Sequence, residues 1–161
     1  MDRSVIDEYE AGAKKLRASI EGLSNKQMLW IPPLDGGVGL WSIKEVVIHL
    51  MDSDLIGSDR MKRIVAEDNP LLIGYNEDRF ASRLFYQHQS VEDALALFEI
   101  NRRQFTLVLR KLSPETFERT GIHNESGKVT LGDQVKKYNE HLDHHLGFIA
   151  RKREMLKKLS D

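Results

Sequence analysis

The sequence predicts an all-α fold, a four-helix bundle with long connecting loops. Three observations carry this. Four segments repeat apolar residues at alternating spacings of three and four, stretches rich in helix breakers or polar residues separate them, and no segment alternates apolar and polar residues over the length of a strand.

Val5, Tyr9, Ala13, Leu16, Ile20 and Leu23 form the apolar stripe of the first helix, with a stop at Gly22 and Ser24-Asn25. Ser24 to Leu40 contains Pro32, Pro33, Gly36, Gly37 and Gly39, which no regular element tolerates in its interior; it is expected to be a loop opened by a short turn at Ser24–Gln27. Ser42 with Glu45 has the form of a capping box, so the second helix starts there and runs through Met61, Ile64 and Val65 to about Asp68, ahead of Pro70. Asn76 to Gln89 is less periodic, and its Phe80, Leu84 and Phe85 indicate a short helix or an ordered lid over one end. Ser90 with Asp93 caps a third helix traced by Ala94, Leu97, Phe98, Asn101, Phe105, Val108 and Leu112. Ser113-Pro114 opens a brief turn, and Arg119 to Val129 is a polar connection. Thr130-Leu-Gly-Asp133 caps the fourth helix, which runs to about Leu159. The long connections allow neighbouring helices to run parallel or antiparallel, so the topology stays open.

At 161 residues the chain suits one domain, 1–161, with a proper core. Its 24 basic and 25 acidic residues nearly cancel, which gives no reason to expect nucleic acid or an acidic membrane as partner. The absence of cysteine excludes disulfides, thiolate metal sites and a thiol nucleophile of the protein's own. The N-terminus is charged from its second residue, and no segment approaches the ~20 apolar residues of a membrane span, so a cytoplasmic protein is expected.

The chemistry-bearing feature is a histidine pair. Leu131, Val135, Tyr138, Leu142, His145 and Ile149 form the core stripe of the fourth helix, with Gln134, His141 and Phe148 in the column beside it. His141 and His145 therefore point inward together, one turn apart, while His144 shares a column with Lys137 and Arg151 and is expected at the surface. Residues at i and i+4 stand about 5–6 Å apart at Cβ, from which two imidazoles can converge on one ion. A third ligand must come from elsewhere. His49, one turn on from Val46 at the edge of the second helix's apolar side, is the candidate. The competing reading is a set of satisfied core histidines without a metal.

Trp41-Ser-Ile-Lys-Glu-Val-Val-Ile-His49-Leu-Met-Asp-Ser-Asp54, Thr130-Leu-Gly-Asp133 and His141-x-x-His144-His145-Leu-Gly-Phe-Ile149 together resemble the DinB-like superfamily, and within it the YfiT-like metal-dependent hydrolase and bacillithiol S-transferase group. The similarity spans nearly the whole chain. It implies a four-helix bundle, a divalent metal (zinc or nickel) on His49, His141 and His145, a small-molecule substrate, a low-molecular-weight thiol as co-substrate in some relatives, and a homodimer.

Three neutral imidazoles suit zinc, nickel or iron(II) and leave the ion its full charge and at least one open position. That favours activating a water or capturing a small thiol. A metalloprotease with this histidine spacing carries Glu directly after the first histidine; here that position is Leu142, so the mechanism does not apply. Glu45 and Asp52 flank His49 but share a column with Asp59, which reads as a solvated acidic stripe. Tyr138 reads as a core aromatic with a hydrogen-bonded tip, and Trp41 as a staple over the bundle end. His88 and His123 sit in polar, loop-like surroundings, and the basic residues Arg151 to Lys158 read as a solvated helix terminus. The expected function is a metal-dependent enzyme, a thiol S-transferase or a hydrolase. The rival is a non-catalytic metal-binding or stress-response bundle.

Overall fold

Four long helices pack side by side as a square. A computed structural model describes residues 1–33 and 36–159; the expected loop at Leu34 and Asp35, and the domain's last two residues, Ser160 and Asp161, lie outside them. Helix α1 spans Arg3–Ser19, followed by the one-turn α2, Asn25–Met28, and the long α3, Ile43–Ala66. Strand β1 (Leu71–Leu72), the short α4 (Glu77–Arg83) and a 3₁₀ turn at Tyr86–His88 lead into α5, Val91–Leu109. A second 3₁₀ turn at Pro114–Glu118 precedes β2 (Thr120–His123), β3 (Gly127–Thr130) and α6, Leu131–Lys158.

The expected caps are present. Ser42–Glu45 and Thr130–Asp133 form reciprocal capping boxes, and Ser24–Gln27 forms a third at the turn into α2. Each satisfies two backbone donors that the first helical turn leaves without partners. The first helix ends four residues short of Leu23. The Ser19 hydroxyl bonds back to the Leu16 carbonyl, and the chain leaves the axis through Gly22 at φ +77°.

The bundle's sides are α1/α5, α5/α3, α3/α6 and α6/α1, so α1 and α3, consecutive long helices, occupy a diagonal. This arrangement puts α3 directly against α6, the two helices that bear the candidate ligands. Gly57 permits their close approach: a Cβ there would stand 2.1 Å from Cζ of Tyr138 on α6. Alanine is favoured over glycine in a helix by about 1 kcal/mol, but overpacking costs ~1–3 kcal/mol, and a clash with an aromatic ring places this site at the upper end. Gly57→Ala is therefore expected to lower the urea midpoint, because α3 must move away from α6.

Two apolar clusters fill the interior. One gathers Leu16, Ile43, Val47, Leu50, Phe98 and Ile149 among others; the second gathers Tyr9, Met61, Ile64, Phe105, Leu131 and Val135. Buried polar groups add specific ties. Arg102 donates to Asp54 Oδ1 at 2.8 Å, to the Tyr9 carbonyl at 3.1 Å and to the Tyr138 carbonyl at 3.0 Å, thereby linking all four long helices. Its guanidinium lies between the Tyr9 and Phe98 rings, 4.3 and 4.5 Å from their centroids. Asn101 donates to the other Asp54 oxygen at 2.7 Å.

The expectation of no strands is corrected by a small sheet of order β1-β2-β3, in which β1 runs parallel to β2 and β2 antiparallel to β3. Its strands have two to four residues, and β2 inverts the usual pattern, burying Gly121 and His123 while exposing Ile122. Alternation of apolar and polar side chains is not available to mark such a strand. The basic C-terminal run also differs from a solvated terminus. Lys152 is fully buried with Nζ donating to the Gly39 carbonyl at 2.8 Å, and Arg153 donates to the Ser19 and Glu21 carbonyls at the end of α1. No helix among the described residues is long and apolar enough to cross a membrane.

Candidate metal centre

The three histidines meet. His49 lies about two turns into α3, and His141 and His145 one turn apart on α6. His141 Nε2 stands 3.2 Å from Nε2 of His49 and 3.2 Å from Nε2 of His145, and the three nitrogens lie within 4.8 Å of one another. Two nitrogens bound tetrahedrally at ~2.0–2.1 Å to one ion would stand about 3.3 Å apart. The spacing therefore fits a shared ion. His49 and His145 are buried, and His141 is partly buried.

Burial drives all three imidazoles towards the neutral form. It pushes His49 down to about 3, with His141 adding repulsion; His141 to about 4, with His144 adding to it; and His145 to about 2, with His49 contributing. Neutral imidazole is the ligating form. Nδ1 of His49 and of His145 is buried without a hydrogen-bond partner among the described residues. A ring whose Nε2 lone pair faces the cluster carries its proton on Nδ1, so a buried N–H is left unpaired on each, at a cost of about 1–3 kcal/mol. Both 3.2 Å contacts are within hydrogen-bond reach, but Nε2 of a neutral His141 carries either one hydrogen or one lone pair and completes only one of them, whereas a cation held by all three nitrogens would satisfy them together. Three histidines arranged in this way fit a divalent ion better than they fit a satisfied core, and the donor set suits zinc, nickel or iron(II). The rings are oriented by packing: the Trp41 ring lies 4.9 Å from that of His49, and the Phe148 ring 5.6 Å from that of His145.

Two cavities flank the cluster. One, of about 320 Å³, is mainly apolar and is lined by Leu40, Trp41, Val46 and Phe148 beside His145. The other, of about 190 Å³, is polar and is lined by Arg60, Tyr75, Lys137 and Tyr138 beside His141. Glu77 lines both. Its Oε2 is 3.8 Å from His49 Nε2, but it stands outside the mutually close set of ligand atoms. Partial burial, with Asp78 adding repulsion, raises its carboxyl above the ordinary value.

The profile of the DinB superfamily matches residues 8–149. The chain belongs to this superfamily. Its relatives include the Oceanobacillus iheyensis protein named "Putative metal-dependent hydrolase OB0782", 32% identical over 145 residues that cover 90% of this chain and 81% of that one. A Bacillus mycoides protein of the same description is 30% identical over 151 residues, covering 94% and 84%. Among solved structures, YfiT from Bacillus subtilis, described as having an unusual four-helix bundle topology, superposes with a TM-score of 0.87 at 26% identity over 96% of this chain and 87% of that one. The mycothiol-dependent maleylpyruvate isomerase shares the fold, with a TM-score of 0.70 at 11% identity over 91% of this chain and 60% of the isomerase.

Of the other residues of this DinB domain, some stand as the sequence predicts and others do not. His144 is exposed, and Tyr138 is buried with Arg60 Nη1 donating to its hydroxyl at 3.2 Å, both as expected. The acidic stripe is not a stripe. Glu45 is used in the Ser42 cap, Asp52 accepts from the Tyr86 hydroxyl at 2.6 Å, and Asp59 alone of the three is exposed. Trp41 packs on His49 and lines the apolar cavity, so it belongs to the site as well as to the bundle end. His123 is buried on β2, where Nδ1 accepts from the backbone of Glu125 at 3.2 Å. Sequence reasoning missed Glu77 and Arg60.

The histidine shifts set a pH dependence for the metal-free protein. The folded-state values lie below the ordinary 6.5, so as pH falls the unfolded chain takes up protons first. The contribution is fully present above about pH 6.5 and is lost below it, on the order of 1–2 kcal/mol per histidine by about pH 5. Urea midpoints of chelator-treated protein should fall over this range, and the fall should shrink when the histidines are replaced.

Proposed function

We propose that the chain is a divalent-metal-dependent enzyme that transfers a low-molecular-weight thiol to an electrophilic small molecule at the His49–His141–His145 centre. The supporting observation is the convergence of three neutral imidazoles, without a carboxylate in the set, at the junction of two cavities. A divalent ion on such ligands supplies an electrophilic centre with an open side, able to lower the pKa of a water or thiol that reaches it. The chain's own groups would do the rest. Trp41 and Phe148 shelter the reaction from water, and Glu77, at the rim with a raised carboxyl pKa, removes the proton of the incoming nucleophile. The chain has no cysteine, so the thiol comes from solution.

Hydrolysis is the second reading, favoured by the name of the 32% identical relative. Here Glu77 would take its proton from water. Thiol-conjugation assays with and without chelator separate the two: chelator-sensitive loss of thiol supports transfer, and thiol-independent, chelator-sensitive turnover supports hydrolysis. Absence of both supports a metal-stabilised bundle without catalysis. Glu77→Gln is expected to keep one metal per chain while lowering turnover by about 10²–10⁴-fold, the usual contribution of a general base. If this variant loses the metal instead, Glu77 is a fourth ligand that closes the sphere, as in structural sites.

A further inference from the structure

The polar cavity beside His141 contains a buried guanidinium that makes no direct ion pair with the carboxylates lining the same cavity. Arg60, on α3, is buried to 6% exposure. Its Nη1 donates to the Tyr138 hydroxyl and its Nη2 to the Ile73 carbonyl, both neutral acceptors, while Nε has no partner. Among the described residues, no carboxylate lies within ion-pairing distance of it. The same bundle treats its other fully interior guanidinium differently: Arg102 is paired with Asp54 at 2.8 Å. Burying an unpaired charge is costly, and such charges are retained where something else completes them.

We infer that Arg60 receives a carboxylate of the substrate in the polar cavity, so that the molecule processed at the three-histidine centre is a small carboxylic acid. A guanidinium presents planar, parallel donors that match a carboxylate. Lys137 at the exposed side of the cavity adds a second positive charge. Glu77 and Glu125 also line it, which limits the anionic charge it accepts and favours a carboxylate over doubly charged phosphate. His141 lines this cavity too, so an acid held by Arg60 has its remaining atoms towards the histidine cluster. The inference rests on the proposed function for the place of reaction, but the anion seat itself needs no metal.

The test is a calorimetric titration of acetate, succinate and benzoate, each against its amide, into metal-free and zinc-loaded protein. At least one acid should bind saturably to both forms and at least tenfold more tightly than its amide, with inorganic phosphate weaker. Arg60→Gln should lose tenfold or more of that affinity while keeping its zinc stoichiometry and far-UV circular dichroism, and Arg60→Lys should restore part of it. Equal binding of acid and amide, no saturable binding of any acid, or tighter binding of phosphate overturns the inference in the wild type alone, whether or not Arg60→Gln folds. Zinc stoichiometry in the same samples reads the histidine centre separately: a wild type that binds the acid but not zinc would sink the proposed function and leave the anion seat standing.

Discussion

His145→Ala should abolish stable metal retention. Structural zinc sites with a full protein ligand set contribute on the order of 10 kcal/mol or more, so loss of one of three ligands removes about 3 kcal/mol or more, a 10²-fold or larger fall in affinity. His145 is buried, with its Nε2 3.2 Å from that of His141 and its ring 4.7 Å from that of His49, so its loss opens the cluster on both sides. The control is its neighbour. His144 is exposed, and its ring lies 5.4 Å from that of His145, yet it is not in the mutually close set. His144→Ala should retain one metal per chain and full turnover. Elemental analysis after dialysis, with turnover on the same samples, checks both. Equal retention by His145→Ala and the wild type would remove the basis for the site.

Arg102→Met should give the largest loss of stability of any single substitution considered, about 3–5 kcal/mol, because it leaves the Asp54 carboxylate buried without its cation. The Tyr9 and Tyr138 carbonyls lose a donor at the same time. Against a total of about 5–15 kcal/mol, that is enough to bring the bundle near its threshold. Replacing both partners, Arg102→Met with Asp54→Leu, should recover much of the loss, since an apolar pair of similar volume avoids the stranded charge. Urea unfolding at unchanged m-value measures both. A loss below about 1 kcal/mol for the single variant would mean that the pair is not the tie the geometry indicates.

The helices and their starts were legible in the sequence because they depend on local chemistry: Ser42 with Glu45 and Thr130 with Asp133 cap the helices they were expected to cap. The histidine set was legible for the same reason, as a face of α6 and an edge of α3. The order of the helices around the bundle was not, since the long stretch from Ser24 to Leu40 does not restrict which neighbour α3 takes. Glu77 was missed because nothing local marks it; it reaches the site only by the placement of α4 against α3. Arg60 did leave a trace. His49, Ser53, Gly57 and Arg60 follow one another at helical spacing, and all four are buried. A charged residue in the column of a candidate ligand was there to be noticed. His123 left none, because β2 hides polar and glycine residues where a strand normally hides apolar ones.

X-ray absorption at the metal edge of zinc-loaded protein reads the ligands of the bound ion. Three imidazole shells at about 2.0–2.1 Å with one further light oxygen or nitrogen scatterer are expected from His49, His141 and His145 with an open fourth position. Two imidazoles or fewer, or a spectrum unchanged in His49→Ala, would contradict a centre shared between α3 and α6.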